Sequence, residues 1–237
     1  MARTNNDPAI VVTAGGNRGI GFEICRQLVA RGVQVVLTAR KRAAGEAAVK
    51  KLAGGKHAAA FHPLDVTDGK SIERFSDFLK DTYGHIDALI NNAGIIAEGE
   101  APALKVDLAT VRETLETNAL GPLHLAQKLV PLLKRGSSPR IVNMSSGMGA
   151  LTDNYGGHAA YRMSKTLLNA VTAILAAELA GAIAVNSVCP GWVKTDMGGL
   201  NATRDVAEGA DTAVWLALDA PATLTGKFVR DHKVIPW

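Results

Sequence analysis

Seven short runs of consecutive apolar, largely β-branched residues recur along the chain, most followed by a longer segment of helical period, and this alternation constrains the fold most. The runs span residues 9–13, 33–38, 59–64, 86–90, 140–144, 184–188 and 226–229. Most are apolar throughout, which fits parallel strands covered on both faces and not strands with one wet face. Of the segments between them, residues 22–31 place Ile24, Cys25, Leu28 and Val29 on one helical face. Residues 71–82 do the same with Ile72, Phe75, Phe78 and Leu79. Further helices are predicted over 108–118, 122–134, 159–179 and 206–218. The expectation is an α/β fold of Rossmann type, a doubly wound, parallel seven-stranded sheet with helices on both faces. The 237 residues carry no repeat, low-complexity tract or linker, so a single domain over 1–237 is expected.

Composition removes several classes of function. The 26 basic residues are interspersed with 22 acidic ones, so the net charge of +4 describes a solvated surface and not a nucleic-acid footprint. Cys25 and Cys189 stand far apart with no Cys or His at ligand spacing, which argues against disulfides and metal and for a reducing, cytoplasmic setting. The apolar run 10–14 is shorter than the roughly 7 to 15 residues of a signal core or the roughly 20 of a membrane span, so no membrane association is expected. What stands out is 24 glycines, about one residue in ten against a usual ~7%.

Several of those glycines fall where a nucleotide site needs them. The first run leads into Thr13-Ala14-Gly15-Gly16-Asn17-Arg18-Gly19-Ile20-Gly21 and then a helix. Gly15, Gly19 and Gly21 allow a tight turn, close approach to a pyrophosphate and close packing of the helix, whose amino end faces the phosphates. The spacing alone is a weak signal, and its position between strand and helix strengthens it. The second run ends at Ala39-Arg40, where NAD-selective sites usually carry an acid for the ribose 2′-hydroxyl. A basic residue suits a 2′-phosphate, so NADP(H) is expected, with Arg18 as a second cation. Asp65-Val66 follows the third run, where Asp65 reads equally as an adenine contact or as a turn or cap residue. Asn91-Asn92-Ala93-Gly94 follows the fourth and offers close backbone approach.

The fifth run ends in Asn143-Met144-Ser145-Ser146, and Tyr161-Arg162-Met163-Ser164-Lys165 follows. Residues four apart share a helix face, so the Tyr161 phenol and the Lys165 ammonium converge. A nearby ammonium together with the nicotinamide cation favours phenolate, which is expected to bring a phenol of ordinary pKa near 10 toward the working pH of an acid/base catalyst. Ser146 would hold the substrate oxygen. Tyr-x-x-x-Lys alone is cheap, whereas its occurrence in order with the glycine turn, Arg40, Asn-Asn-Ala-Gly and Ser146 is not.

Taken together, these motifs resemble the short-chain dehydrogenase/reductase family over the whole chain. Asn118 in Thr117-Asn118-Ala119-Leu120-Gly121 and Pro190-Gly191 add to the pattern. Within the family the chain resembles the NADPH-dependent carbonyl reductases, through the glycine turn, Leu37-Thr38-Ala39-Arg40, the stretch Cys189-Pro190-Gly191-Trp192-Val193-Lys194-Thr195-Asp196-Met197 and the tail ending in Trp237. The resemblance implies that Tyr161 donates the proton, that Lys165 binds the nicotinamide ribose and that Ser146 positions the carbonyl. It further implies that Asn118 holds a water linking Lys165 to solvent, that Val193 and Thr195 contact the carboxamide, and that Trp192 lines the pocket, the alternative being a packed core aromatic.

Met148, Leu151, Tyr155, Met197 and Leu200 are expected near an apolar, fairly open site, with residues 198–204 as a lid on glycine hinges. Two departures from the family pattern stand out. Ala14 replaces the usual Thr before the first glycine, so the hydrogen bond that ties the loop is missing or rerouted. Only residues 147–160 separate Ser146 and Tyr161, where animal carbonyl reductases carry a long insertion, so a homodimer or homotetramer built on residues 108–134 and 159–179 is expected. The substrate would be a small-molecule carbonyl compound, a ketone, aldehyde or quinone. The alternatives are a biosynthetic reductase or dehydrogenase for 3-oxoacyl thioesters or secondary alcohols, and a non-catalytic NADP(H) sensor.

Overall fold

The computed structural model describes residues 8–54, 59–97, 99–152 and 155–237. Strands β1 (Ile10–Ala14), β2 (Gln34–Ala39), β3 (Ala60–Pro63), β4 (Ala88–Asn91), β5 (Arg140–Met144), β6 (Ala184–Val188) and β7 (Lys227–Arg230) run parallel in the order β3-β2-β1-β4-β5-β6-β7. The expected wholly parallel, seven-stranded sheet needs one correction. An eighth strand, β8 (Lys233–Ile235), pairs antiparallel with β7. Asp231 and His232, at φ of 50° and 59°, make the two-residue left-handed turn that hairpins favour. β8 is short and mostly exposed, so no apolar pattern announces it.

Helices α1 (Gly19–Ala30), α2 (Arg42–Lys51), α3 (Gly69–Thr82), α4 (Leu108–Leu115), α5 (Gly121–Leu133), α6 (Ala159–Glu178) and α7 (Val206–Leu218) cover both faces. α2 is additional to the expected helices. Its central Gly45 lies against β3, where any Cβ would enter the Phe61 ring, and its few apolar residues give a weak period. α4 and α5 are not separate elements. A π-helical turn, Glu116–Leu120, joins them into one continuous helix, so the helix expected to end at residue 118 runs on.

Alternate strand residues feed two cores, as the two-residue period of a strand requires. Val11, Val35, Leu37, Ile90 and Val142 pack with Ile24 and Leu28 of α1 and Ala213 and Leu216 of α7. Ile10, Val12, Val36, Leu89 and Ile141 pack on the other face with Phe75 and Leu79 of α3, Leu125 and Leu129 of α5 and Val171 of α6. Each fully buried Leu, Ile or Phe contributes about 1.5–3 kcal/mol, so both layers are needed to hold the strand ends in register. Burial pushes the Cys25 thiol up to about 12, which makes it an inert core residue. No cluster of potential metal ligands occurs among the described residues, and no helix there is long and apolar enough to cross a membrane.

Candidate active site

The strand order reverses between β1 and β4, and the crevice at their carboxyl ends is where α/β sheets bind ligands. The glycine turn lies on one side of it and Asn92-Ala93-Gly94 on the other. Gly15 has φ +74°, and a Cβ there would lie 2.9 Å from the Ala93 Cα; at Gly21 it would collide with the Gly15 carbonyl oxygen. Asn92 Nδ2 donates to the Gly15 carbonyl at 2.8 Å, so this side chain braces the turn. The tie expected to be missing or rerouted at Ala14 is rerouted. The Gly15 N–H donates to Thr38 Oγ1 (3.3 Å) and the Gly16 N–H to the Thr38 carbonyl (2.9 Å), both on β2. Asn17 and Ile20 lie in the turn and the first turn of α1, and Thr195 approaches Gly19 from across the crevice.

At the far end of the crevice Arg40 leaves β2 exposed, with no ion pair among the described residues. Arg18 behaves differently from the expected second cation. Its guanidinium pairs with the Asp196 carboxylate at 2.5 Å, joining the glycine turn to the segment after β6. Asp65 Oδ1 accepts from the Thr67 N–H (3.0 Å) and hydroxyl (2.7 Å), the turn role, while the residue still lines the cleft beside Arg40; Val66 is buried next to it.

Ser146, Tyr161 and Lys165 come together at the end of β5. Ser146 caps a short 3₁₀ turn, Gly147–Gly149, and its hydroxyl is hydrogen-bonded to the Tyr161 phenol. Lys165 lies one turn along α6, with Nζ 5.5 Å from the Tyr161 ring centroid and donating to the Met144 carbonyl at 2.8 Å. In the chain by itself, burial governs the phenol. Tyr161 is 8% exposed, and burial pushes its pKa up to about 12 against the downward pull of the Ser146 hydrogen bond. Burial also disfavours the Lys165 ammonium and pushes that group down to about 8.

Gly149 and Asn169, which sequence reasoning did not single out, fix this triad. The Gly149 carbonyl accepts from Thr166 Oγ1 (3.1 Å) and Asn169 Nδ2 (3.2 Å), docking the Ser146 turn on α6. A Cβ at Gly149 would lie 2.7 Å from the Lys165 carbonyl carbon, a backbone atom that cannot swing aside. Gly149→Ala is therefore expected to cut kcat about tenfold or more while leaving nucleotide affinity within about twofold, because misplacement of a reacting group by about 1 Å costs up to about 10²-fold. Stopped-flow turnover with parallel nucleotide titration checks this, and an unchanged kcat contradicts it.

Asn118 lies in the π-helical turn, a local distortion that often marks functional positions. Its amide pairs with both backbone groups of Ile95 (2.8 and 2.9 Å) and donates to Ser164 Oγ (3.0 Å), which donates to the Tyr161 carbonyl (2.7 Å). A Cβ at Gly94 would lie 3.2 Å from Asn118 Oδ1 and 3.5 Å from Lys165 Nζ, so glycine leaves a gap bordered by both.

A family model described as short chain dehydrogenase matches residues 9–205. The chain belongs to the short chain dehydrogenase family. (+)-Neomenthol dehydrogenase from Arabidopsis thaliana is 36% identical, covering 89% of this chain and 92% of its own length. Carbonyl reductase [NADPH] 1 from Mus musculus is 35% identical over 99% of this chain and 100% of its own. That alignment runs to 286 positions, 49 more than the 237 residues here, so the mouse protein carries sequence that this chain lacks. Among solved structures, NADPH-bound carbonyl reductase from chicken fatty liver has a TM-score of 0.88 at 30% identity, over 97% of this chain and 99% of that one.

In this short chain dehydrogenase most of the apolar side chains expected at the pocket are exposed. Trp192 is 54% exposed and not a core aromatic, and its indole Nε1 donates to the Gly198 carbonyl at 2.8 Å. Tyr155, Met197, Leu151 and Leu200 are likewise exposed, and Met148 is half-buried; part of the loop between Ser146 and Tyr161, residues 153 and 154, lies outside the described residues. The expected lid is pinched at its base. Val193 bridges Arg204, whose backbone also pairs with Trp192 and Lys194 and whose guanidinium pairs with Asp231 at 2.6 Å. Gly191, at φ +78° after Pro190, admits the Arg204 side chain. Gly198 and Gly199 serve the turn itself: a Cβ at the first would collide with the Val193 carbonyl oxygen, and the second has φ +75°. A small cluster of Ala150, Cys189, Phe228, Ile235 and Trp237 lies behind Ser146 and beside the eighth strand.

Proposed function

We propose that this chain, acting as one unit over residues 1–237, is an NADPH-dependent reductase of ketone, aldehyde or quinone carbonyls. The observation that carries the reading is the convergence of Ser146, Tyr161 and Lys165 at the end of β5, next to a crevice whose glycines leave room for a dinucleotide. The carbonyl reductases named for NADPH among the relatives support the cofactor. The residues fit that group: the cradle of Gly15, Gly19 and Gly21 would be filled by any Cβ at two of its positions, and Arg40 stands where NAD-selective sites carry an acid.

Residues 15–21 and 92–94 would hold the pyrophosphate and nicotinamide ribose, Asp65 and Val66 the adenine, and Pro190, Gly191, Val193 and Thr195 the carboxamide. Bound NADPH supplies a hydride to the carbonyl carbon. Ser146 and Tyr161 both donate hydrogen bonds to the carbonyl oxygen, and Tyr161 transfers its proton as the oxyanion develops. Burial keeps the phenol protonated at neutral pH, the form that gives a proton, and the Ser146 hydrogen bond pulls the opposite way, toward release. Lys165 holds the ribose and replaces the lost proton, with Asn118 Oδ1 and Lys165 Nζ bordering the position for a relaying water. Trp192, Met148, Tyr155 and Met197 line an apolar entrance.

That entrance favours a bulky, uncharged substrate, in keeping with a relative named for the cyclic alcohol neomenthol. It disfavours the thioester alternative. A carrier protein calls for cations at the mouth, and Arg204 is spent on Asp231, leaving Lys194. NADPH oxidation against aromatic ketones, aldehydes, quinones and 3-oxoacyl thioesters, repeated with NADH, tests the reading. The expected result is turnover of the first three classes with kcat/KM at least tenfold higher for NADPH, whereas equal rates with both cofactors would remove the Arg40 argument.

Assembly through α4, α5 and α6 completes the proposal. The outer face of α6 exposes Met163, Ala170, Ala173, Ile174 and Ala177, an apolar and small-residue stripe suited to close helix packing. Sedimentation should give two or four times 24.8 kDa, and a monomer would refute the assembly.

A further inference from the structure

Three arginines from three different elements converge at the adenosine end of the crevice. Arg40 follows β2, Arg42 opens α2 and Arg74 lies on α3, and all three line one cleft of about 440 Å³ with His62, Asp65 and Asp68. We infer that Arg42 and Arg74 act with Arg40 as specificity-determining residues that grip the 2′-phosphate of NADP(H). The inference rests on the NADP(H) reading above and adds two residues that neither the glycine turn nor the end of β2 supplies.

Arg18, the expected second cation, is held by Asp196, so the additional charge must come from elsewhere. The local acids leave Arg42 and Arg74 only loosely engaged. Glu46 is 3.4 Å from Arg42 in an exposed i,i+4 pair, and Asp68 is 3.7 Å from Arg74 while also capping α3 through the Lys70 N–H. Exposed pairs of this kind contribute ~0–1 kcal/mol, so a dianionic phosphate competes with them easily. A phosphomonoester offers three acceptor oxygens, and guanidinium forks match that geometry better than point charges do.

The floor of the cleft is His62, stacked on Phe78 with ring centroids 4.8 Å apart. Burial first, and then the charges of Arg42 and Arg74, hold its imidazole below the ordinary pKa against an opposing hydrogen bond at Pro63. His62 therefore adds no positive charge of its own at pH 7, and the charges of both arginines reach it across the cleft they line together.

The test is calorimetric titration of the full chain with adenosine 2′,5′-bisphosphate and with 5′-AMP, for wild type, Arg40→Ala, Arg42→Ala and Arg74→Ala. Wild type is expected to prefer the bisphosphate. Arg42→Ala and Arg74→Ala should each weaken it about fivefold to tenfold, as loss of a charge-assisted hydrogen bond implies, with 5′-AMP affinity and Tm unchanged and a shallower salt dependence. Bisphosphate affinity unchanged in both variants, or lost in parallel with 5′-AMP affinity, overturns the inference. If only Arg40→Ala removes the preference, the inference falls and the NADP(H) reading stands; if wild type shows no preference, both fall.

Discussion

Replacing Tyr161 with phenylalanine is expected to lower kcat for carbonyl reduction by about 10²- to 10⁴-fold while leaving the Kd for NADPH within about twofold. The phenol is a buried acid hydrogen-bonded to Ser146 at the end of β5, and its removal deletes both the transferred proton and one of two donors to the developing oxyanion. Stability should change little. The variant loses the Ser146 bond, worth about 1 kcal/mol, but also removes a hydroxyl from a buried position. Single-turnover kinetics with a fluorescence titration of NADPH separates the two effects. Retention of more than about a tenth of the wild-type rate would remove Tyr161 as the acid.

The second large effect concerns pH. Burial holds Tyr161 up at about 12 and Lys165 down at about 8, so between pH 7 and 10 it is Lys165, not Tyr161, that changes charge. The ammonium is the form that donates to the Met144 carbonyl and would bind the ribose, and it is lost as pH rises through about 8. The kcat/KM for NADPH, which reports groups of the free enzyme, is therefore expected to fall above pH about 8. Lys165→Met should reduce kcat/KM by about 10²-fold or more and flatten the profile between pH 6 and 9. A Lys165→Met variant that kept the same alkaline limb would assign that limb to another group.

How much of this was legible in the sequence depends on the range over which each feature is determined. The glycine turn and the Tyr161–Lys165 pair were legible because a strand-to-helix turn and a four-residue helical spacing are local. The rerouted tie from Gly15 to Thr38 was not, since it joins residues 23 apart through the parallel register of β1 and β2. Arg18 looked like a free cation because its partner Asp196 lies 178 residues further on.

Other features escaped for different physical reasons. The π-helical turn buries Asn118 and Ala119 and exposes Leu120, so it carries no apolar signal of its own, and the geometry that places Asn118 leaves no trace in periodicity. The burial of Tyr161 was not legible either. Adjacency to Lys165 is written in the sequence, but the burial that sets the shift against the Ser146 hydrogen bond is a property of the packed site, where the lysine itself pays a desolvation cost. Gly149 was one glycine among 24 until its contact with the Lys165 backbone gave it a reason.

The central claim is hydride delivery to a carbonyl carbon with protonation by this chain. The most direct measurement uses NADPH deuterated at C4 of the nicotinamide, prepared separately on each face, with an aromatic ketone that the enzyme turns over, and mass and NMR analysis of the product. The account predicts that one of the two labelled cofactors passes its deuterium quantitatively to the carbinol carbon of a secondary alcohol and the other passes none. An alcohol carrying no label from either cofactor, or NADPH consumed without any alcohol formed, would contradict it.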